Sequence, residues 1–187
     1  MIRPIHAAIQ LLAALNAPIA RWGRSAAAAL LAAMLAVAVA QILSRAFFNH
    51  TLDWAEEMAR MALVWSVLLA APLGYRSGGH VAIAAFAESL PPRLLYATAL
   101  LLNALIAWVC VMLLVESVGF VERGFTIVAS ALPLRMGWIY LVMPLSLAAM
   151  LLVAVEAMLR LTAALVSGRF DLQLSGAVPV MQGEGGH

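Results

Sequence analysis

The sequence predicts an all-α integral membrane protein: four transmembrane helices preceded by an N-terminal amphipathic helix at the bilayer surface. Three observations carry that prediction. Of the 187 residues, 65% are hydrophobic and only 11% charged, whereas soluble domains carry about 25% charged residues. The mean hydropathy is +1.01. The apolar residues also collect into four runs of the roughly 20 residues that cross a bilayer as a helix. What remains is enough for short connections and tails, but not for a large soluble domain.

Residues 1–24 place Ile2, Ile5, Ile9, Leu12, Leu15, Ile19 and Trp22 on one helical side and Arg3, His6, Gln10, Arg21 and Arg24 on the other. A basic amphipathic helix of this kind lies in the plane of a bilayer surface. Asn16 is out of pattern, and Pro18 is a natural bend. A frayed tail is the plainer reading. The first span follows at residues 25–48, polar only at Gln41, Ser44 and Arg45 towards its end. Arg21 and Arg24 before an apolar region that ends in AVAVA also resemble a secretory signal. Against that, the basic region is long and apolar character resumes after Gln41.

The second span is expected at 54–75, with Pro72 loosening its last turn. Arg76, Ser77, Gly78, Gly79 and His80 form a turn, and residues 81–90 a short interfacial segment before Pro91 and Pro92. The third span, 93–118, is polar only at Thr98 and Asn103 before Glu116. Residues 119–135 are too mixed to span and too apolar for a plain loop, so they are expected at the interface. The fourth span, 138–160, carries Pro144 and ends in Glu156 and Arg160, an i,i+4 pair. The membrane domain thus covers 25–162, and the Gly-rich tail 163–187 is expected to be disordered.

Orientation follows from the arginines. With the N-terminus inside, Arg3, Arg21, Arg24, Arg76, Arg93, Arg160 and Arg169 are cytoplasmic, while Arg45, Arg123 and Arg135 are outside. That imbalance favours cytoplasmic termini. The start of the second span then faces the outer surface. There Asp53, Glu56, Glu57 and Arg60 are spaced i, i+3, i+4 and i+7 and share one helix face, with Trp54, Met58, Met61 and Trp65 on the adjoining flank. Charges this close to a bilayer need partners or water. Arg60 can neutralise Glu56 or Glu57, and the remaining carboxylate is available to another protein or to the headgroups.

Several chemistries are disfavoured. All eleven basic residues are arginines, and a net charge of +2 is too small for a nucleic-acid partner. Cys110 is the single cysteine, which excludes an intramolecular disulfide, a CxxC redox centre and a cysteine-based zinc cluster. His6, His50, His80 and His187 are isolated on different connections or tails. Glu56 and Glu57 point about 100° apart on a helix, and no second acid or Ser/His set recurs in the other spans. Neither catalysis nor a cofactor is expected. Nor do the spans show the repeats and broken helices of a self-sufficient carrier.

Trp54, Glu56, Glu57 and Arg60, as W-x-E-E-x-x-R, resemble the small membrane subunit of tripartite ATP-independent periplasmic (TRAP) transporters, the DctQ family. Gly74 through Ile83, GYRSGGHVAI, is similar to that family's glycine and histidine turn. Ser130, Ala131, Leu132, Pro133, Trp138, Tyr140 and Pro144 are similar to its run before the last helix. The resemblance covers residues 25–162. It implies a bacterial inner-membrane protein working with a large DctM-type permease subunit and a DctP-type periplasmic binding protein in ion-driven import of a small organic acid. It also implies that the large subunit carries the substrate and ion sites while the small one widens a stationary scaffold. Within that reading, Asp53, Trp54, Glu56, Glu57 and Arg60 fix the second helix against the large subunit or a membrane lipid. Gly74, Arg76, Gly79 and His80 hold the cytoplasmic turn. The alternative class is a free-standing four-helix interaction protein or small exporter. A quinone-linked or redox subunit would need the paired histidines or cysteines this chain lacks.

Overall fold

The computed structural model describes residues 2–49, 52–78 and 91–167 together with the pairs 172–173 and 180–181. Helix α1 is Ile2–Phe48, α2 Asp53–Gly78, α3 Pro92–Gly124, α4 Met136–Tyr140 and α5 Val142–Ser167. Four stretches are long and apolar enough to cross a membrane: Ile9–Phe48, Trp54–Ser77, Arg93–Gly124 and Met136–Ser167. The predicted fold class is therefore the observed one, an all-α membrane protein with four spanning helices.

The first difference lies in α1. A surface helix followed by a separate span was expected, with a bend at Pro18. Instead one helix of 47 residues runs through Pro18 and across residue 24, about 70 Å at 1.5 Å per residue. Alanine and leucine dominate both sides of that boundary, and inside a bilayer an interrupted helix leaves backbone groups that water cannot satisfy. The helix ends at Phe48, where Asn49 takes the left-handed conformation, φ 49°, that commonly closes helices. Among the inward positions of α1 are 16, 20, 23, 27, 30, 34, 37, 41 and 44, alternating steps of three and four that suit a neighbouring helix. At Gly23 an added Cβ would stand 3.1 Å from the carbonyl oxygen of Leu69, so α1 and α2 cross there in close contact.

Helices α2 and α5 run in the same direction, joined where the Ser146 hydroxyl donates to the Leu68 carbonyl at 2.6 Å. Helix α3 packs antiparallel to α5 through Leu95, Tyr96, Ala99, Leu161 and Ala164. It reaches α2 where the Tyr75 hydroxyl donates to Asn103 Oδ1 at 2.6 Å, and the Asn103 amide donates to the Ala99 carbonyl at 2.8 Å. Tyr75 itself packs with Val153, Ala154 and Ala157. Alanines and polar residues thus share the interior with Tyr75, Leu95, Tyr96 and Leu161, while many large apolar residues, such as Leu101 and Phe47, face outward, 71% and 78% exposed. That exposure is what a lipid solvent allows.

Further boundaries differ from expectation. Helix α2 runs on to Gly78, so Gly74, Arg76 and Ser77 are helical and not part of a turn. Helix α3 continues past Val118 and through Gly119 to Gly124, so the expected interfacial segment 119–135 shrinks to 125–135. The fourth span is split at Leu141 into α4 and α5. Pro144 explains the split, since it cannot donate to the carbonyl of Tyr140 and its ring crowds that carbonyl. Helix α5 ends at Ser167. Within the tail, Leu172–Gln173 pair antiparallel with Val180–Met181. The rest of the tail and the interfacial segment 81–90 lie outside the described residues.

The corner from α3 to α4 depends on two glycines. A Cβ on Gly137 would meet three atoms of the Phe125 ring at 2.5–2.8 Å, and one on Gly124 would meet Tyr140 Cδ2 at 2.5 Å. The rings cannot retreat freely: Phe125 stacks edge-on against Trp138 at 5.4 Å, and Phe120 packs on Tyr140 at 4.5 Å. Gly137→Ala is expected to cost about 1–3 kcal/mol by overpacking. The check is a lowered thermal-unfolding midpoint in detergent; an unchanged midpoint would show that the corner can repack.

Candidate functional site

The charged end of α2 meets the connection between α3 and α4. After Gly124 that connection turns back on itself: Met136 donates to the Ile127 carbonyl at 2.9 Å and Ala129 to Leu134 at 2.9 Å, with a bridge between Val128 and Arg135. The result is a short hairpin whose tip, Ser130 to Pro133, leaves backbone N–H groups unpaired within the hairpin. Glu57 satisfies two of them. Its carboxylate accepts the Ser130 N–H at 3.0 Å and the Ala131 N–H at 2.7 Å. Hydrogen bonds to an ionised acceptor are the stronger kind, so Glu57 acts as a latch between α2 and the hairpin.

Of the neighbouring groups on that face, Glu56 pairs with Arg60 at 2.9 Å, with both side chains more than 70% exposed. An exposed i,i+4 pair contributes little to stability. Trp54 is 44% exposed on the adjoining flank of the helix. Asp53 opens α2. The expected stripe is therefore divided by the structure: Glu57 is engaged within the chain, while Glu56 and Arg60 pair with each other on the exposed surface. The pairing of Glu57 with the S-A-L-P segment was not foreseen from sequence, although both segments were singled out. Its donors are backbone groups, which no side-chain pattern announces.

At the other end of α2, Gly74 is exposed and Arg76 half-buried. Gly79 and His80 lie outside the described residues. What gathers at this end is a different constellation. Glu156 is fully buried and accepts from the Asn16 amide at 2.6 Å and from Arg160 Nη2 at 2.9 Å. Asn16 Nδ2 also lies 3.3 Å from the Leu152 carbonyl. The Glu156 and Arg160 pairing follows from their spacing. The third member, 140 residues away in the chain, was visible only as a polar residue out of place in an apolar stretch.

Asn16, Ser66, Asn103, Ser117, Ser146 and Glu156 are the buried polar side chains among the described residues. Each is hydrogen-bonded within the chain. Among those same residues, no group of three or more His, Cys, Asp or Glu could hold a metal ion. The arrangement fastens helices to one another.

Fold and site together define a multi-pass helical membrane protein whose interior polar groups bind its own helices to one another. A family model described as "Tripartite ATP-independent periplasmic transporters, DctQ component" matches residues 34–164. The chain belongs to that family and is a TRAP transporter small permease subunit. The match takes in α2 with its charged face, the hairpin and most of α5, and it begins within α1. No curated protein matches the chain at a significant level.

Proposed function

We propose that this small subunit is the stationary frame against which a large DctM-type permease subunit is held in the bacterial inner membrane, with both termini cytoplasmic. The large subunit then carries a small organic acid, delivered by a DctP-type periplasmic binding protein and driven by an ion gradient. The observation that carries this reading is the internal pairing of the buried polar side chains. A chain whose interior polar groups are spent on its own helices has few left to strip a carboxylate substrate of its water, and a frame needs none. Membership of a tripartite transporter family supports it. In this role the chain works without catalytic groups, and Trp54, Glu56 and Arg60 face the partner or its lipids, with Asp53 beside them in sequence.

The test is genetic and biochemical together. A tagged chain expressed beside the large subunit is expected to retain it through detergent purification, and cells lacking the chain to lose organic-acid uptake although the large subunit is still made. Full uptake without the chain would defeat the proposal.

A further inference from the structure

Arg21 and Arg24 were expected in a helix lying on the membrane surface, but the continuity of α1 puts them elsewhere. Gly23, their neighbour, touches the carbonyl of Leu69. Leu69 is three to four residues from the midpoint of the apolar span Trp54–Ser77, about 5 Å along the axis. That contact sets Arg21 and Arg24 beside the central portion of α2. Both arginines are exposed, and no ion pair among the described residues includes either one.

Their placement on the helix is also specific. Each follows an inward residue, Ala20 or Gly23, by one position, so both stand about 100° round from the packed stripe and share one flank. Ala17 and Ala28, also exposed, extend that flank, giving the series 17, 21, 24 and 28 with steps of four, three and four. This is the spacing by which one helix receives another. The terminal alanines allow a second backbone to come close.

We infer that the flank Ala17, Arg21, Arg24, Ala28 is the docking surface for a transmembrane helix of the large permease subunit, and that this helix presents at least one Asp or Glu to the two guanidinium groups. The inference rests on the proposed role as a frame. Charge complementarity selects the occupant. An arginine exposed to lipid at this depth is expensive, and ionisable groups within spans pair with one another or with a neighbour's backbone. Drawing a phospholipid headgroup down to the arginines would satisfy the charge, but the alanines on either side would then have no purpose.

Co-purification of the large subunit with tagged variants tests this. Wild type and R21K/R24K are expected to retain similar amounts of the large subunit, and R21A/R24A at least tenfold less. Ala17→Leu and Ala28→Leu, which leave the charges and the hydrophobicity of the span in place, are each expected to reduce retention at least fivefold. R21A/R24A and both leucine variants retaining the large subunit within twofold of wild type would overturn the docking surface and leave the proposed function standing. So would loss of bound anionic phospholipid, measured by mass spectrometry, with the subunits still together. Wild-type chain that never retains the large subunit would overturn both.

Discussion

Glu156→Ala is expected to be the most damaging single substitution in the chain, at about 3–5 kcal/mol, the range for removing one partner of a buried ion pair. Glu156 has no solvent exposure, and its carboxylate is the acceptor for both Asn16 and Arg160. Alanine deletes the anion while leaving a guanidinium whose side chain is only 18% exposed, and it deletes the acceptor that holds the N-terminal part of α1 against α5. Two elements far apart in sequence loosen together. Glu156→Gln keeps the shape and one oxygen for Asn16 but loses the charge, and should fall between alanine and wild type at about 1–3 kcal/mol. Asn16→Leu should couple to Glu156→Ala rather than add to it, because both changes break one network. Unfolding midpoints in detergent for the two single variants and the double variant measure this. Simple additivity would mean that the two side chains do not share an interaction.

The second large effect separates two adjacent glutamates. Glu57→Ala removes an ionised acceptor from two backbone N–H groups, each such bond contributing about 1.5–3 kcal/mol where it is sheltered. The latch is partly open to solvent, so about 2–3 kcal/mol for the pair of bonds is expected. The hairpin it holds should then become the preferred site of proteolytic cleavage. Glu56→Ala breaks only the exposed contact with Arg60 and should cost less than about 1 kcal/mol. Limited proteolysis of the two variants gives a direct comparison. Equal cleavage rates within residues 127–136 would refute the latch.

Much of this architecture was legible in the sequence, and the reasons differ from place to place. The four spans announce themselves because crossing a bilayer takes a long run of apolar residues, which composition and length reveal without any contact map. The i,i+4 pairing of Glu156 with Arg160 is likewise local. The continuity of α1 was hidden because Pro18 reads as a bend by the rules that hold in water. In lipid, an interrupted backbone costs more than a proline in a helix, and Gly23 is occupied with packing against Leu69. The amphipathic reading of residues 1–24 misled in a second way: Ile19 and Trp22, on its apolar side, are 41% and 77% exposed. In a membrane the apolar side is free to meet lipid, and the small or polar residues, here Asn16 and Gly23, mark the side that packs. The latch on Glu57 could not be read at all, since the availability of the Ser130 and Ala131 N–H groups depends on how the hairpin folds.

The charged end of α2 thus has two roles that the sequence alone could not separate. Glu57 shapes the chain's own surface, and Trp54, Glu56 and Arg60 are left facing outward. In the proposed frame, the flank of α1 that carries Arg21 and Arg24 would add a second surface towards the larger neighbour.

The central claim is that this chain supports transport without carrying the solute. Proteoliposomes containing the purified chain alone, the large subunit alone, or both, with the binding protein and an imposed ion gradient, test it most directly. Accumulation of a labelled organic acid is expected only when the two membrane subunits are present together. Accumulation by vesicles holding this chain alone would contradict the account.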